Sequence, residues 1–391
     1  MEDRKIYIIG RGLINPAGND LGEFWNNMIN EKICYAQLNI KDEIPVKIGA
    51  SVHNFNATKY ISKRIAVKTD CFTQYFLAAT VDALNEANII VEKENCNEIG
   101  IFFGNNSGGW NICERGFKEL FFQSYSMVNP WQATAWFPTA GQGYASIMHK
   151  VKGFSKTFVS DRVSGAAAVY HGIESLINNR NKIVVVGGSE APLTPLGITC
   201  YNESGSISKS NCSPFLPESP GVVLSEGGAA IVIESSDKIS GVPIAEIRGY
   251  ATNYYADNQI TGVVECMETA LSIANINIED VDLVIPEGNG DWASDYIEKE
   301  AIKMLFNERL CKIPILFTKY YLGHQYGAAA ITDIICACMA LEHNMFPKYK
   351  NIEALQDYFT DEIVTEINNV LVNSRTASGV NYSFLISKIG R

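Results

Sequence analysis

Short apolar runs alternate with longer stretches of helical spacing along the whole chain, a pattern that leaves few architectures besides an α/β fold. Ile99–Gly104, Lys182–Gly187 and Ala229–Glu234 read as strands, and Ile6-Tyr-Ile-Ile as a first strand. Helices are predicted at Asp70–Asn88, where Phe72, Tyr75, Phe76, Ala79 and Leu84 fall near helical spacing, at Gly165–Asn178 and at Ala328–Glu342. A strand, a polar turn and an Ala-rich helix occur around Thr157–Leu176 and again around Ile315–Leu341, which points to two similar halves with their turns face to face. Open α/β sheets keep their ligands at such strand ends.

Length and composition narrow the function. With 391 residues, 47% hydrophobic and 19% charged, the chain can bury a large core in one or two joined domains. No apolar run approaches the roughly 18 residues of a membrane span, so a cytoplasmic protein is expected. Ten cysteines occur without a CxxC pair or a His/Cys cluster, so no metal, cofactor or disulfide framework is expected, and Cys336 and Cys338 read as small buried thiols. A net charge of −11 argues against nucleic acid, whose phosphates are bound by clustered Lys and Arg.

Five segments in preserved order resemble the β-ketoacyl-acyl carrier protein synthases of fatty-acid and polyketide assembly. They are Ile8-Ile-Gly-Arg-Gly-Leu-Ile-Asn-Pro-Ala-Gly18, Lys68-Thr-Asp-Cys-Phe-Thr-Gln-Tyr75, Gly187-Gly-Ser-Glu-Ala-Pro-Leu-Thr-Pro-Leu-Gly197, Gly221-Val-Val-Leu-Ser-Glu-Gly227 and Lys319-Tyr-Tyr-Leu-Gly-His324. The resemblance implies a thiolase fold: two pseudo-duplicated halves, at 1–240 and 241–391, in a five-layered α-β-α-β-α arrangement.

It also implies a cysteine nucleophile, in a Cys-small-Ser/Thr-Gly pattern, and two histidines. The matching stretch Val159-Ser-Asp-Arg162-Val-Ser-Gly165 carries Arg162 at the nucleophile position, and a guanidinium cannot be acylated. Ser164 reads as helix-start packing or capping, with a replacement nucleophile as the alternative. The first histidine belongs to a Glu-Ala-His-Gly-Thr pattern. In Leu283-Val-Ile-Pro-Glu287-Gly-Asn289-Gly-Asp291 its place falls to Asn289, whose amide cannot do acid/base work. The second histidine is His324, with Lys319 and Asp333 resembling a buried Lys-acid support; a structural role and a ligand-contacting one are both open. The gating Phe of the C-terminal loop is replaced by Ala377 in Asn373-Ser-Arg-Thr-Ala377-Ser-Gly379-Val-Asn381.

No competent catalytic residue is therefore expected, and the pattern resembles a chain-length factor, the inactive homologue paired with an active ketosynthase in type II polyketide systems, including aryl polyene ones. A stand-alone malonyl decarboxylase or acyltransferase using His324 is the alternative, and a homodimeric acyl-binding protein a third. The resemblance implies a heterodimer whose acyl tunnel runs to the subunit interface. Trp110 falls at the tunnel floor, as a plug or a plain core aromatic, and Gln132, Thr134, Trp136 and Phe137 fall in the interface segment from Trp131, as tunnel wall or ordinary interface packing. Lys63, Arg64 and Lys68 match the helix that docks the acidic acyl carrier protein, or form a solvated face.

Overall fold

The computed structural model describes residues 4–93, 95–203, 205–236, 240–306, 312–362 and 366–390. The first half contributes β1 (Ile6–Ile14), β2 (Ile99–Gly104), β3 (Lys156–Phe158), β4 (Ile183–Glu190) and β5 (Gly227–Ser235). The second contributes β6 (Ala245–Tyr254), β7 (Leu283–Ile285), β8 (Ile313–Pro314), β9 (Asn369–Arg375) and β10 (Val380–Ser387). The first five lie in the order β3-β2-β4-β5-β1. The others repeat it as β7-β9-β10-β6, with β8 joined to β7 through the parallel bridge Val284↔Ile315. The half-sheets meet where β1 pairs with β6 at Ile6↔Ile247 through Ile8↔Ala245, making one continuous mixed sheet.

Ten helices position the regions of interest: α1 (Lys63–Ala66), α2 (Cys71–Glu86), α3 (Trp110–Phe122), α4 (Gln132–Ala135), α5 (Ala140–His149), α6 (Ser164–Ile177), α7 (Gln259–Ala274), α8 (Trp292–Phe306), α9 (Thr318–Leu322) and α10 (Ala329–His343). The Ala-rich α6 and α10 pack on each other and on strands of both half-sheets. α2 and α5 cover the outside of the first half-sheet and α7 and α8 that of the second, so the layers run α-β-α-β-α. A middle-layer helix is apolar on all sides, and α10 accordingly buries every residue from Ala329 to Leu341. β4 is buried along its whole length, as expected for a central strand covered on both faces.

The halves touch backbone to backbone near the site. A Cβ on Gly188 would lie 1.8 Å from the carbonyl oxygen of Gly327, and one on Gly165 would lie 2.4 Å from the same atom. Only residues without side chains allow this approach.

Candidate functional site

β3 ends at Phe158 and runs into an exposed turn, Val159-Ser-Asp161, before α6. Asp161 has φ +53°, the left-handed conformation that short polar side chains tolerate best. Ser164 closes the turn: its Oγ accepts the Ser160 N–H at 2.9 Å and donates to the Asp161 carbonyl at 2.7 Å. Both roles commit that hydroxyl to the backbone.

Arg162, 6% exposed, points beneath this turn. Its Nη2 lies 3.4 Å from Ser206 Oγ and 3.6 Å from Asp291 Oδ2, and its Nη1 has no hydrogen-bond partner among the described residues. Burial opposes its charge, but Tyr326, Glu287, Asp161 and Asp291 outweigh that and push its pKa up. A cation therefore occupies this turn at any physiological pH.

The counterpart of this turn in the second half is a saturated cluster. Lys319 forms a buried ion pair with Asp333, whose other oxygen accepts from Thr318 Oγ1 at 2.6 Å. His324, fully buried, accepts the Tyr326 backbone N–H on Nδ1 at 2.9 Å, so its ring proton lies on Nε2. That nitrogen meets Glu287 Oε1 at 2.5 Å, and Ser374 Oγ donates to Glu287 Oε2 at 3.2 Å. Burial pushes the Glu287 pKa up, but His324, Lys319 and Arg162 together hold it at about 2. An ionised carboxylate thus takes up the imidazole N–H.

His324 does not meet Asn289, the residue expected at the first histidine position. The side chain that meets His324 belongs to Glu287, whereas Asn289 turns away: its Oδ1 accepts the Asp291 N–H at 2.8 Å and its Nδ2 has no partner among the described residues. Glu287-Gly288 and Asn289-Gly290 both fit the residue-glycine step of the pattern, two positions apart. Starting the count at the end of β7, Ile285, would have selected the first pair.

Ala377 lies exposed in the β9–β10 turn, its carbonyl accepting from Gln259 Nε2 at 3.1 Å. The largest buried side chain of this strand is Arg375, 1% exposed, which donates to Ser294 Oγ at 2.6 Å and to Gln259 Oε1 at 2.7 Å. No motif pointed to it. Asp295 cinches the adjoining loop by accepting the Asn289, Gly290 and Phe215 N–H groups; burial raises its pKa to about 7 despite these bonds.

Toward the expected tunnel floor, Trp110 is half-buried and donates its indole N–H to Ser107 Oγ at 2.7 Å. Its ring begins an aromatic chain: Trp110 to Tyr201 at 6.4 Å, Tyr201 to Tyr326 at 4.7 Å, and Tyr326 to His324 at 4.7 Å between centroids. Tyr201 and Tyr326 were not singled out from the sequence.

Trp136 and Phe137 are about half exposed, and Thr134 is exposed with its hydroxyl donating to the Trp131 carbonyl. Gln132 is half-buried. It lies over α3, where a Cβ on Gly116 would fall 1.3 Å from its Oε1, so its side chain packs within its own chain. Lys63 and Arg64 are exposed on α1, and the Lys68 ammonium stands 3.9 Å from the centroid of Trp131. Among the described residues no helix is long and apolar enough to cross a membrane.

The duplicated half-sheets around two central helices, with a turn from each half meeting beneath them, define a thiolase-fold protein. The chain belongs to the β-ketoacyl synthase family: residues 3–238 match the Beta-ketoacyl synthase, N-terminal domain, and residues 244–353 the C-terminal domain. It is 26% identical to 3-oxoacyl-[acyl-carrier-protein] synthase 2 of Coxiella burnetii, over 100% of each chain. It is also 26% identical to the tetracenomycin polyketide synthase ketoacyl synthase beta subunit of Streptomyces glaucescens, over 98% of each. Among solved structures, the ishigamide ketosynthase/chain length factor superposes with a TM-score of 0.88 at 19% identity, covering 99% of this chain and 100% of the other.

Proposed function

We propose that this chain is the non-catalytic subunit of a ketosynthase pair, a chain-length factor that lends walls to the acyl tunnel of an active partner working on acyl carrier protein. The observation that carries the reading is the double occupation of the site. On this reading Arg162, buried at 6% exposure, takes the place of the acyl-bearing residue, and Glu287 takes the His324 Nε2–H that would bind a thioester oxygen. An arginine cannot form a thioester, and an imidazole already donating to a carboxylate has no proton left for an enolate. Kinship with a polyketide synthase beta subunit supports the pairing. The aromatic chain from Trp110 to His324 supports a filled tunnel in this subunit, and the half-exposed Trp136 and Phe137 support an interface.

The test is co-expression with a related ketosynthase that keeps its cysteine and both histidines. Joint elution as a heterodimer is expected, with condensation on carrier protein only in the pair. Covalent acylation of the isolated chain, or release of carbon dioxide from malonyl carrier by it, would instead establish the stand-alone enzyme. Arg162→Cys alone should give no condensation, because Glu287 still holds His324; turnover by that single variant would overturn this reading of the site.

A further inference from the structure

β3 ends the sheet. It pairs with β2 alone, so its outer edge carries no strand among the described residues, and an open edge is a template for another chain. The pleat sends Lys156 and Phe158 to one face. α6 packs there, with His171 stacked on Phe158 at 4.9 Å between centroids. Beside them opens a cleft of about 250 Å³, lined in part by Phe154, Lys156, Tyr170, His171, Glu174 and Arg180. The Lys156 ammonium stands 5.5 Å and the Arg180 guanidinium 4.8 Å from the centroid of the Phe154 ring. Both side chains are exposed, and neither forms an ion pair among the described residues. Glu174, the carboxylate lining the cleft, is already engaged by the Tyr250 hydroxyl and by Asn178 Nδ2 at 3.5 Å. Partial burial and Lys156 lower the His171 pKa, which leaves Lys156 and Arg180 as the standing cations of the cleft.

We propose that this edge is a charge-selective docking surface, on which a ketosynthase of different sequence sets an Asp or Glu side chain between Lys156 and Arg180 as it extends the sheet beside β3. The proposal rests on the pairing put forward above and names the chemistry its partner must bring. Charge complementarity decides the occupant. A second copy would dock through the same patch about a two-fold axis, which brings each patch against itself, so Lys156 and Arg180 would meet their own kind. Like charges set against one another suppress that partner, whereas a carboxylate relieves both cations. Phe154 and Tyr170 give the cleft apolar walls, where a charge pair is screened less than in open water. The edge thus selects the heterodimer and disfavours the homodimer.

The test is analytical sedimentation of the full chain, alone and with the co-expressed ketosynthase, between about 0.05 M and about 0.5 M sodium chloride. Opposite trends are expected: salt weakens the heterodimer about tenfold and strengthens self-association, because screening removes an attraction from one and a repulsion from the other. Lys156→Glu combined with Arg180→Glu should weaken the heterodimer by about tenfold or more at low salt. Lys156→Met combined with Arg180→Met should let the chain self-associate about tenfold more tightly. Both positions are exposed, and an unchanged melting temperature verifies that the variants fold. A heterodimer indifferent to the charge reversal, or the same salt trend for both species, overturns the charge-selective edge while the pairing stands, and leaves Lys156 as a guard against strand addition. A parent chain that forms no heterodimer at any salt overturns the pairing reading and this proposal with it.

Discussion

The Arg162 turn and the His324 cluster sit at equivalent places in the two halves, each between the third strand of its half and a central helix, and they treat buried charge in opposite ways. Lys319, Asp333, Glu287 and His324 satisfy one another at short range. Arg162 is also buried, but its contacts with Ser206 at 3.4 Å and Asp291 at 3.6 Å are long, with Tyr326 as a further hydrogen-bond partner. The second half carries a polar interior that cannot lose a member cheaply. The first carries a charge with longer contacts, whose removal is expected to disturb less.

The largest effect should come from Asp333→Ala, which strands the Lys319 ammonium. A loss of about 3–5 kcal/mol in urea unfolding is expected, and a loss under about 1 kcal/mol would erase the distinction between the halves. Glu287→Ala should cost about 2–3 kcal/mol near neutral pH, the worth of hydrogen bonds to a charged group. Its folded pKa of about 2 lies below the ordinary glutamate value. The contribution of Glu287 is therefore complete above about pH 4.3 and lost as pH falls toward the folded value. The gap between parent and variant should narrow from pH 6 to pH 3; a gap that widens would reverse the sign of the argument.

Arg162→Met should lie within about 1 kcal/mol of the parent, or above it, because replacing a poorly paired buried charge with an apolar side chain is often neutral. A cost matching that of Asp333→Ala would break the comparison outright. Smallest for the isolated chain are Trp136→Ala and Phe137→Ala, about 0.5 kcal/mol or less at half-exposed positions. They sharpen the comparison by moving it to the pair. Co-expressed with an active ketosynthase, each should lengthen the carrier-bound product read by mass spectrometry, whereas an intact heterodimer with unchanged lengths would leave these rings to packing alone.

What could be read beforehand follows from the range of the interaction. The helix expected at Asp70–Asn88 is Cys71–Glu86, and the one at Ala328–Glu342 is Ala329–His343, because apolar spacing along one segment decides which residues can be buried. The strand at Ile99–Gly104 is unchanged for the same reason. The turn that carries Arg162 could be read because Gly165 and Ser164 mark where its helix begins. Glu287 could not: two residue-glycine pairs fit the pattern, and only contact with His324, 37 positions away, distinguishes them. Arg375 is buried by Ser294 and Gln259, partners about a hundred positions distant, and no local pattern encodes that. Gln132 faces inward because Gly116 leaves room on α3, again a property of another segment.

The glycine contact between the halves bears on how such a protein could be rebuilt. A crossover between Ser235 and Ala245 keeps β5 and β6 whole and makes a natural splice point for exchanging a half with that of a catalytic relative. Yet Gly165 and Gly188 from one parent and Gly327 from the other must still meet at backbone distance. Donors for such chimeras are therefore better chosen by glycines at these three positions than by overall identity, and a donor with alanine at any of them would need its central helix moved before any chemistry could be transplanted.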